Sequence, residues 1–219
     1  MSIASDIRYW DRTARRYARS AITDQIGYER TLDRTRALLG PDDRVLELGC
    51  GTGTTALRLA SGVHSYFATD ISAEMIAIAN EKHATSSCST ITFRTATAEA
   101  LTPSTGPFNA ILGFNYLHLV RDLPGTLGCI HALLTVGGLF ISKTPCVGDM
   151  SPLIRRVLLP AMRTIGKAPY AGVFKVANLS QHICAAGFDI LATESHSIKD
   201  NEARPYIVAR KRRLECCNQ

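Results

Sequence analysis

A chain of 219 residues, 46% hydrophobic and 20% charged, can bury one substantial core and is too apolar for a disordered polymer. No apolar run approaches the ~18 residues of a membrane span, and the net charge of +6 is a weak argument for nucleic acid, because Arg210, Lys211, Arg212 and Arg213 crowd into one C-terminal run read as a solvated tail, 210–219. Seven scattered cysteines, with neither a Cys-x-x-Cys pair nor histidines at zinc spacing, imply no disulfide and no metal. With no signal-peptide pattern at the N-terminus, the expected location is cytoplasmic.

Residues 7–39 read as a helical cap: Trp10 and Tyr17 precede Gly27, and Leu32, Thr35, Leu38 and Leu39 recur at helical spacing. Gly40, Pro41, Asp42 and Asp43 then turn the chain into a first strand. That strand breaks at Gly49-Cys50-Gly51-Thr52-Gly53 and resumes as a helical pattern to Ala60, which is strand, turn and helix. Glycines at alternate positions allow backbone angles closed to other residues and let a ligand approach the main chain. A dinucleotide fingerprint would place its last glycine at position 54, where Thr54 stands. Glu47, two residues before the first glycine, would repel a pyrophosphate and suits a ligand with an ammonium group. Residues 65–70 form a second strand ending in Asp70, placed to accept both hydroxyls of a ribose. A nucleoside with an amino-acid end satisfies both acids.

Ser72 is the expected N-cap of the next helix, with Glu74 in its first turn and Met75, Ile78 and Ala79 on one face. Residues 90–96 alternate as a third strand, followed by Thr97, Ala98 and Glu99, and residues 108–115 form a fourth. Tyr116, Leu117 and His118 leave its carboxyl end, where open parallel sheets bind ligands. Leu123, Leu127, Ile130 and Leu134 make a helical stripe that Gly137-Gly138 should end, and residues 139–143 are the fifth strand. Residues 144–175 carry four prolines and one amphipathic helix, 152–166, read as a lid over the acceptor, with a fixed core helix and a helix resting on an anionic membrane as the competing readings. Asn178 is expected to cap a helix to Ala186, and 188–193 and 205–209 are the last two strands of a single domain, 1–219.

Residues 45–60, 68–79 and 108–120 resemble the successive motifs of class I S-adenosylmethionine-dependent methyltransferases, of the small-molecule, ubiquinone- or menaquinone-methyltransferase-like type. The resemblance implies an α/β fold: one doubly wound, mostly parallel, Rossmann-like sheet with an N-terminal helical cap and a lid inserted after the fifth strand. It implies S-adenosylmethionine as cofactor and S-adenosylhomocysteine as product. The implied binding set is Tyr17 at the methionine end, Glu47, Gly49, Cys50, Gly51 and Gly53 in the loop, Asp70 and Ile71 at the ribose, Met75, Thr97, Ala98 and Glu99 around the adenine, and Asn115. Thr97 departs from the acid often found there, and Asn109 from the aspartate common after the phenylalanine.

His118 is the candidate base for a phenol or enol, since a histidine near pKa 6.5 takes a proton at neutral pH; packing at a helix start is the structural alternative. His182 and Lys143 are secondary candidates, and His64, His83, His131 and His196 read as surface. The absence of an Asp/Asn-Pro-Pro-aromatic tetrapeptide after the fourth strand favours a small organic acceptor, with oxygen, carbon and nitrogen all open. No nucleic-acid partner and no transmembrane segment are expected, and a monomer or homodimer is. The alternatives are a non-methylating protein of this fold, such as one directing a cyclisation, and a quinone methyltransferase resting on a membrane surface. A nicotinamide oxidoreductase is disfavoured by Thr54 and Glu47.

Overall fold

The first strand, β1 (Arg44–Leu48), sets the architecture, because its apolar residues are buried on both faces as a central parallel strand requires. Leu46 and Leu48 enter one apolar cluster, with Ile111, Phe140 and Ile207, while Val45 enters another, with Tyr66, Leu112, Ile141 and Val208. Two such clusters on opposite faces are what a doubly wound sheet produces. A computed structural model describes residues 2–102, 105–150, 169–197 and 203–213; the expected lid helix 152–166 and the tail from residue 214 lie outside them.

The remaining strands are β2 (Ser65–Asp70), β3 (Ile91–Thr95), β4 (Phe108–Phe114), β5 (Leu134–Lys143), β6 (Phe188–Glu194) and β7 (Tyr206–Lys211). They form one sheet in the order β3-β2-β1-β4-β5-β7-β6. All neighbours from β3 to β5 pair in parallel, and β7 runs antiparallel to both β5 and β6. The helices are α1 (Ile3–Arg19), α2 (Gln25–Arg36), α3 (Thr54–Leu59), α4 (Ala73–Ala84), α5 (Leu123–Leu133) and α6 (Val176–Ala185). The chain winds outward from β1 through β2 to β3 and returns on the other side of β1 as β4. The carboxyl ends of β1 and β4 therefore flank the crevice where strand order reverses.

The cap is two helices. Asp24 starts the second by accepting a hydrogen bond from the Gly27 N–H at 2.9 Å. α1 docks on α4 through Ala14, Met75 and Ile78, with Arg15 reaching Glu74 and Glu81 at 2.8 and 2.7 Å. Ser72 caps α4 as expected, accepting from the Met75 N–H, and donates in turn to Asp11 Oδ1 at 2.6 Å.

Three boundaries differ from expectation. β5 starts at Leu134, paired with Phe108, so Gly137-Gly138 is no helix end; Gly137, at φ +77°, lies within the strand beside a register shift. A glycine in a strand marks such an irregularity as readily as a helix stop. α6 begins after Lys175, whose N–H donates to Asn178 Oδ1, so Asn178 sits one turn inside the helix it was expected to start. The basic run is not all tail: Arg210 and Lys211 belong to β7, Lys211 Nζ donates to the His131 and Leu134 carbonyls, and Arg212 pairs with Asp189.

Candidate active site

The loop after β1 is held by close packing. Gly49 and Gly53 both have left-handed backbone angles, at φ +69° and +74°. A Cβ at Gly49 would lie 2.7 Å from the Tyr116 ring, and one at Gly53 would lie 2.8 Å from the Phe93 ring and 2.9 Å from Ala79. Angle and space thus both demand glycine. Lys82 braces the loop from α4, donating to Thr52 Oγ1 at 2.8 Å and Thr54 Oγ1 at 3.0 Å.

Asp70 meets the loop from the end of β2. Its Oδ2 accepts from the Gly51 N–H and its Oδ1 from the Ser72 N–H, both at 2.9 Å, and the Ile71 backbone adds a third bond. Burial holds its carboxyl above the usual range, opposed by those donors. The carboxylate is fixed at the loop's tip, and with three of its roughly four lone-pair sites taken it keeps about one for a ribose hydroxyl. Tyr17 of α1 lies over the same place, its ring 3.7 Å from where a Gly51 Cβ would stand. It is 50% exposed, yet local desolvation and the charges of Asp70 and Glu47 hold its hydroxyl above the ordinary range.

Glu47 does not point openly from the strand tip. It is 3% exposed, and its Oε2 accepts from the Tyr66 hydroxyl at 2.8 Å. Burial pushes its carboxyl up to about 8; the Tyr66 bond opposes this and the Asp70 charge adds to it. An incoming ammonium group would restore its charge. Cys50 is buried with its thiol pushed well up, chiefly by burial, and is no reactive thiolate.

Other expected binding residues are placed differently. Met75 is 2% exposed in the cluster beneath α1. Thr97 uses its hydroxyl to accept from the Ala100 N–H, and Glu99 Oε1 accepts from Thr126 of α5 at 2.6 Å, so both side chains are committed within the protein. Ala98 is buried, and its backbone hydrogen-bonds the Tyr116 hydroxyl. Tyr116, absent from the expected set, packs on Gly49 and Gly113 and so joins β1, β4 and the turn at Ala98. Its signal in the sequence was its place directly after the fourth strand. Asn115 is exposed at φ +52°, its N–H donating to the Lys143 carbonyl at 2.7 Å. Asn109 has a local use, accepting from the Arg44 N–H at 2.9 Å.

His118 sits in a short 3-10 turn, Leu117–Leu119, its carbonyl accepting from the Gly172 N–H at 2.6 Å. Its Nδ1 is buried with no hydrogen-bond partner among the described residues. Burial first, then the positive charge of Arg204, pulls its pKa down to about 4. A neutral imidazole of that acidity is a poor proton acceptor at pH 7, which counts against a general base. Lys143 Nζ is turned to α2, donating to Thr31 Oγ1 at 3.0 Å. His182 is exposed on α6. His196, expected at the surface, is 6% exposed between Thr31 and Glu194, 3.0 Å from each, because its ring packs on Tyr206 at 4.4 Å.

Residues 45–138 match the family model described as a methyltransferase domain. Over 101 residues the chain is 36% identical to a ubiquinone biosynthesis O-methyltransferase of Methylocella silvestris, covering 46% of this chain and 39% of that protein. The chain spans less than half the length of the ubiquinone biosynthesis O-methyltransferases it matches. A magnesium protoporphyrin IX methyltransferase from Synechocystis PCC 6803 has the same fold, with a TM-score of 0.70 at 18% identity over 94% of this chain and 97% of that one. A 4+2 cyclase, SpnF, shares it at a TM-score of 0.66 and 20% identity over 84% and 80%. A methyltransferase domain therefore lies at the centre of the chain, over residues 45–138, and the sheet around it has the fold of the S-adenosylmethionine-dependent methyltransferases it resembles.

Proposed function

We propose that the protein transfers a methyl group from S-adenosylmethionine to a small, partly apolar organic acceptor. The observation that carries this reading is Asp70, fixed by the Gly51 and Ser72 N–H groups at the tip of a glycine loop beside the strand-order reversal. The residues fit the cofactor: Asp70 suits a hydroxyl of its ribose, Glu47 is a buried acid suited to its ammonium, and Tyr17 lies over the loop beside both acids. When bound, S-adenosylmethionine supplies an electrophilic methyl on a sulfonium. The chain's part is to orient the acceptor in line, exclude water, and hold its reactive atom at the carboxyl ends of β4 and β5. A dedicated base is not required.

A second reading, non-methylating work such as directing a cyclisation, is favoured by the likeness to the cyclase fold and by the low proton affinity of His118. A membrane-associated quinone acceptor is suggested by the relatives' names alone. Among the described residues no helix is long and apolar enough to cross a membrane.

The test is calorimetric titration of S-adenosylhomocysteine, followed by incubation with isotopically labelled S-adenosylmethionine and a panel of phenols, enols and amines. Binding with a labelled product one methylene heavier is the expected result. Binding with no labelled product would favour the second reading, and failure of the folded protein to bind would overturn both.

A further inference from the structure

Buried side-chain hydrogen-bonding atoms are rarely left without partners, so each such atom asks for an explanation. Three of them lie at or just beyond the carboxyl ends of the neighbouring strands β4 and β5. Ser142 Oγ, Thr144 Oγ1 and His118 Nδ1 are all buried without a hydrogen-bond partner among the described residues. Ser142 and Thr144 are both 0% exposed and, two residues apart, project to the same side of the extended chain. That side is set by Phe140, which belongs with Leu117, Cys146 and Ile207 to one apolar cluster; Lys143 between them turns the opposite way, to α2. Ser142 is level with Gly113 of β4, and the Tyr116 ring packs on Gly113, so β5 presents Ser142 beside the strand end from which the turn to His118 leaves. Arg204 lies just ahead of β7, next to Ala203, whose carbonyl accepts from the Cys146 N–H, and the positive charge of Arg204 acts on His118.

All of this lies at the carboxyl ends of β4 and β5, beside the glycine loop, where an open sheet of this kind takes its ligand. Two hydroxyls, a neutral imidazole and a nearby cation make a poor seat for an ammonium or an apolar group. They suit an oxygen that accepts hydrogen bonds and bears negative charge.

We propose that His118, Ser142 and Thr144 form the subsite for the acceptor's acidic oxygen, and that the acceptor is a phenol or enol held through that oxygen. The proposal rests on the methyl-transfer reading and narrows it. His118 acts in it as a hydrogen-bonding group, and the neighbouring positive charge favours the acceptor's ionised form without a protein base.

Two readouts test it in the full chain with Ser142→Ala and Thr144→Val. In thermal unfolding without ligand, neither variant should fall below the parent, because no internal hydrogen bond is lost. In binding to the protein saturated with S-adenosylhomocysteine, 2-naphthol should bind about tenfold or more tightly than 2-methoxynaphthalene or 2-naphthylamine, as expected of a site built around a hydroxyl. Both variants should lose that preference, and Thr144→Ser should keep it. Equal binding of the three probes by the parent, or variants that keep the preference, would overturn the subsite. A clear loss of stability in both variants would show that the hydroxyls serve the fold, with the same consequence. If S-adenosylhomocysteine itself does not bind, the methyl-transfer reading fails, and that outcome is distinct from its binding with no preference among the probes.

Discussion

Glu47→Gln should remove a pH-dependent weakness from the free protein. The Glu47 carboxyl is 3% exposed, bonded to the Tyr66 hydroxyl and pushed up to about 8, whereas an unfolded glutamate ionises near 4.5. Between those values the folded protein holds a proton that the unfolded chain has lost, so stability falls as pH rises and levels off above the folded pKa. His118 slopes the other way at lower pH: its folded pKa of about 4 lies below the ordinary 6.5, so stability there rises with pH until that value is passed. Above pH 7 the Glu47 contribution stands clear of it.

For a carboxyl near 8, the loss between pH 7 and pH 9 is roughly 1.4 kcal/mol, which in a chain of this size lowers the melting temperature by about 3–6 °C. Cys50, whose thiol is pushed well up by burial, adds a decline toward pH 9 that the substitution leaves in place. The measurement is therefore the difference between parent and variant in thermal unfolding at pH 7, 8 and 9 at fixed ionic strength. Glutamine keeps an oxygen for the Tyr66 hydroxyl, so the gap should be set by charge and should widen with pH in favour of the variant. Parallel melting curves across that range would show that Glu47 is ionised in the free protein and would refute the reasoning.

Asp70→Ala should weaken S-adenosylhomocysteine binding by an order of magnitude or more, in line with about 1.5–3 kcal/mol for hydrogen bonds to a charged group, and should also lower stability because the Gly51 and Ser72 N–H groups lose their acceptor. Calorimetry giving unchanged affinity in a folded variant would remove Asp70 from the ribose. Gly53→Ala should cost about 2–4 kcal/mol in urea unfolding, since a side chain at φ +74° would also meet Phe93 and Ala79 inside 3 Å. Tyr17→Ala should leave stability within about 0.5 kcal/mol, its ring being half exposed, while lowering ligand affinity several-fold; the opposite pattern would make it part of the core.

The geometry on which the cofactor proposal rests was legible because it is local. Glu47, the glycines and Asp70 lie within one strand-loop-strand run, β1 and β2 are in direct register from Arg44↔Ser65 to Leu48↔Thr69, and short-range spacing fixes their geometry. Even so, spacing gave no sign that Glu47 would be covered, because its cover, Tyr66, comes from the neighbouring strand, level with Val45 and not with Glu47 itself. The packing of Met75 under α1 and the bond of Glu99 to Thr126 were hidden for a related reason: whether such a side chain meets another helix depends on α1 and α5, and nothing near either residue in sequence reports it. His196 is the plainest case, a polar residue in a polar stretch that is buried by contacts with Thr31 and Tyr206, far from it along the chain or across the sheet edge.

The two halves of the site also differ in what already satisfies them, and this bears on how each responds to substitution. Asp70 is held by the Gly51 and Ser72 N–H groups and Glu47 by the Tyr66 hydroxyl, so these acids serve the fold before any ligand arrives, and changing them disturbs both stability and binding. Ser142, Thr144 and the Nδ1 of His118 lack partners among the described residues, so that part of the fold gains nothing from their polarity and carries a cost for it. A group that the fold does not use can be exchanged with little loss of stability, whatever it does for a ligand. Strand pairing from β4 through β5 to β7 holds that half in place through backbone bonds that do not depend on which side chains it displays. If the proposed subsite holds the acceptor, its preference can therefore change at positions 118, 142 and 144 while the glycine loop and its two acids stay as they are.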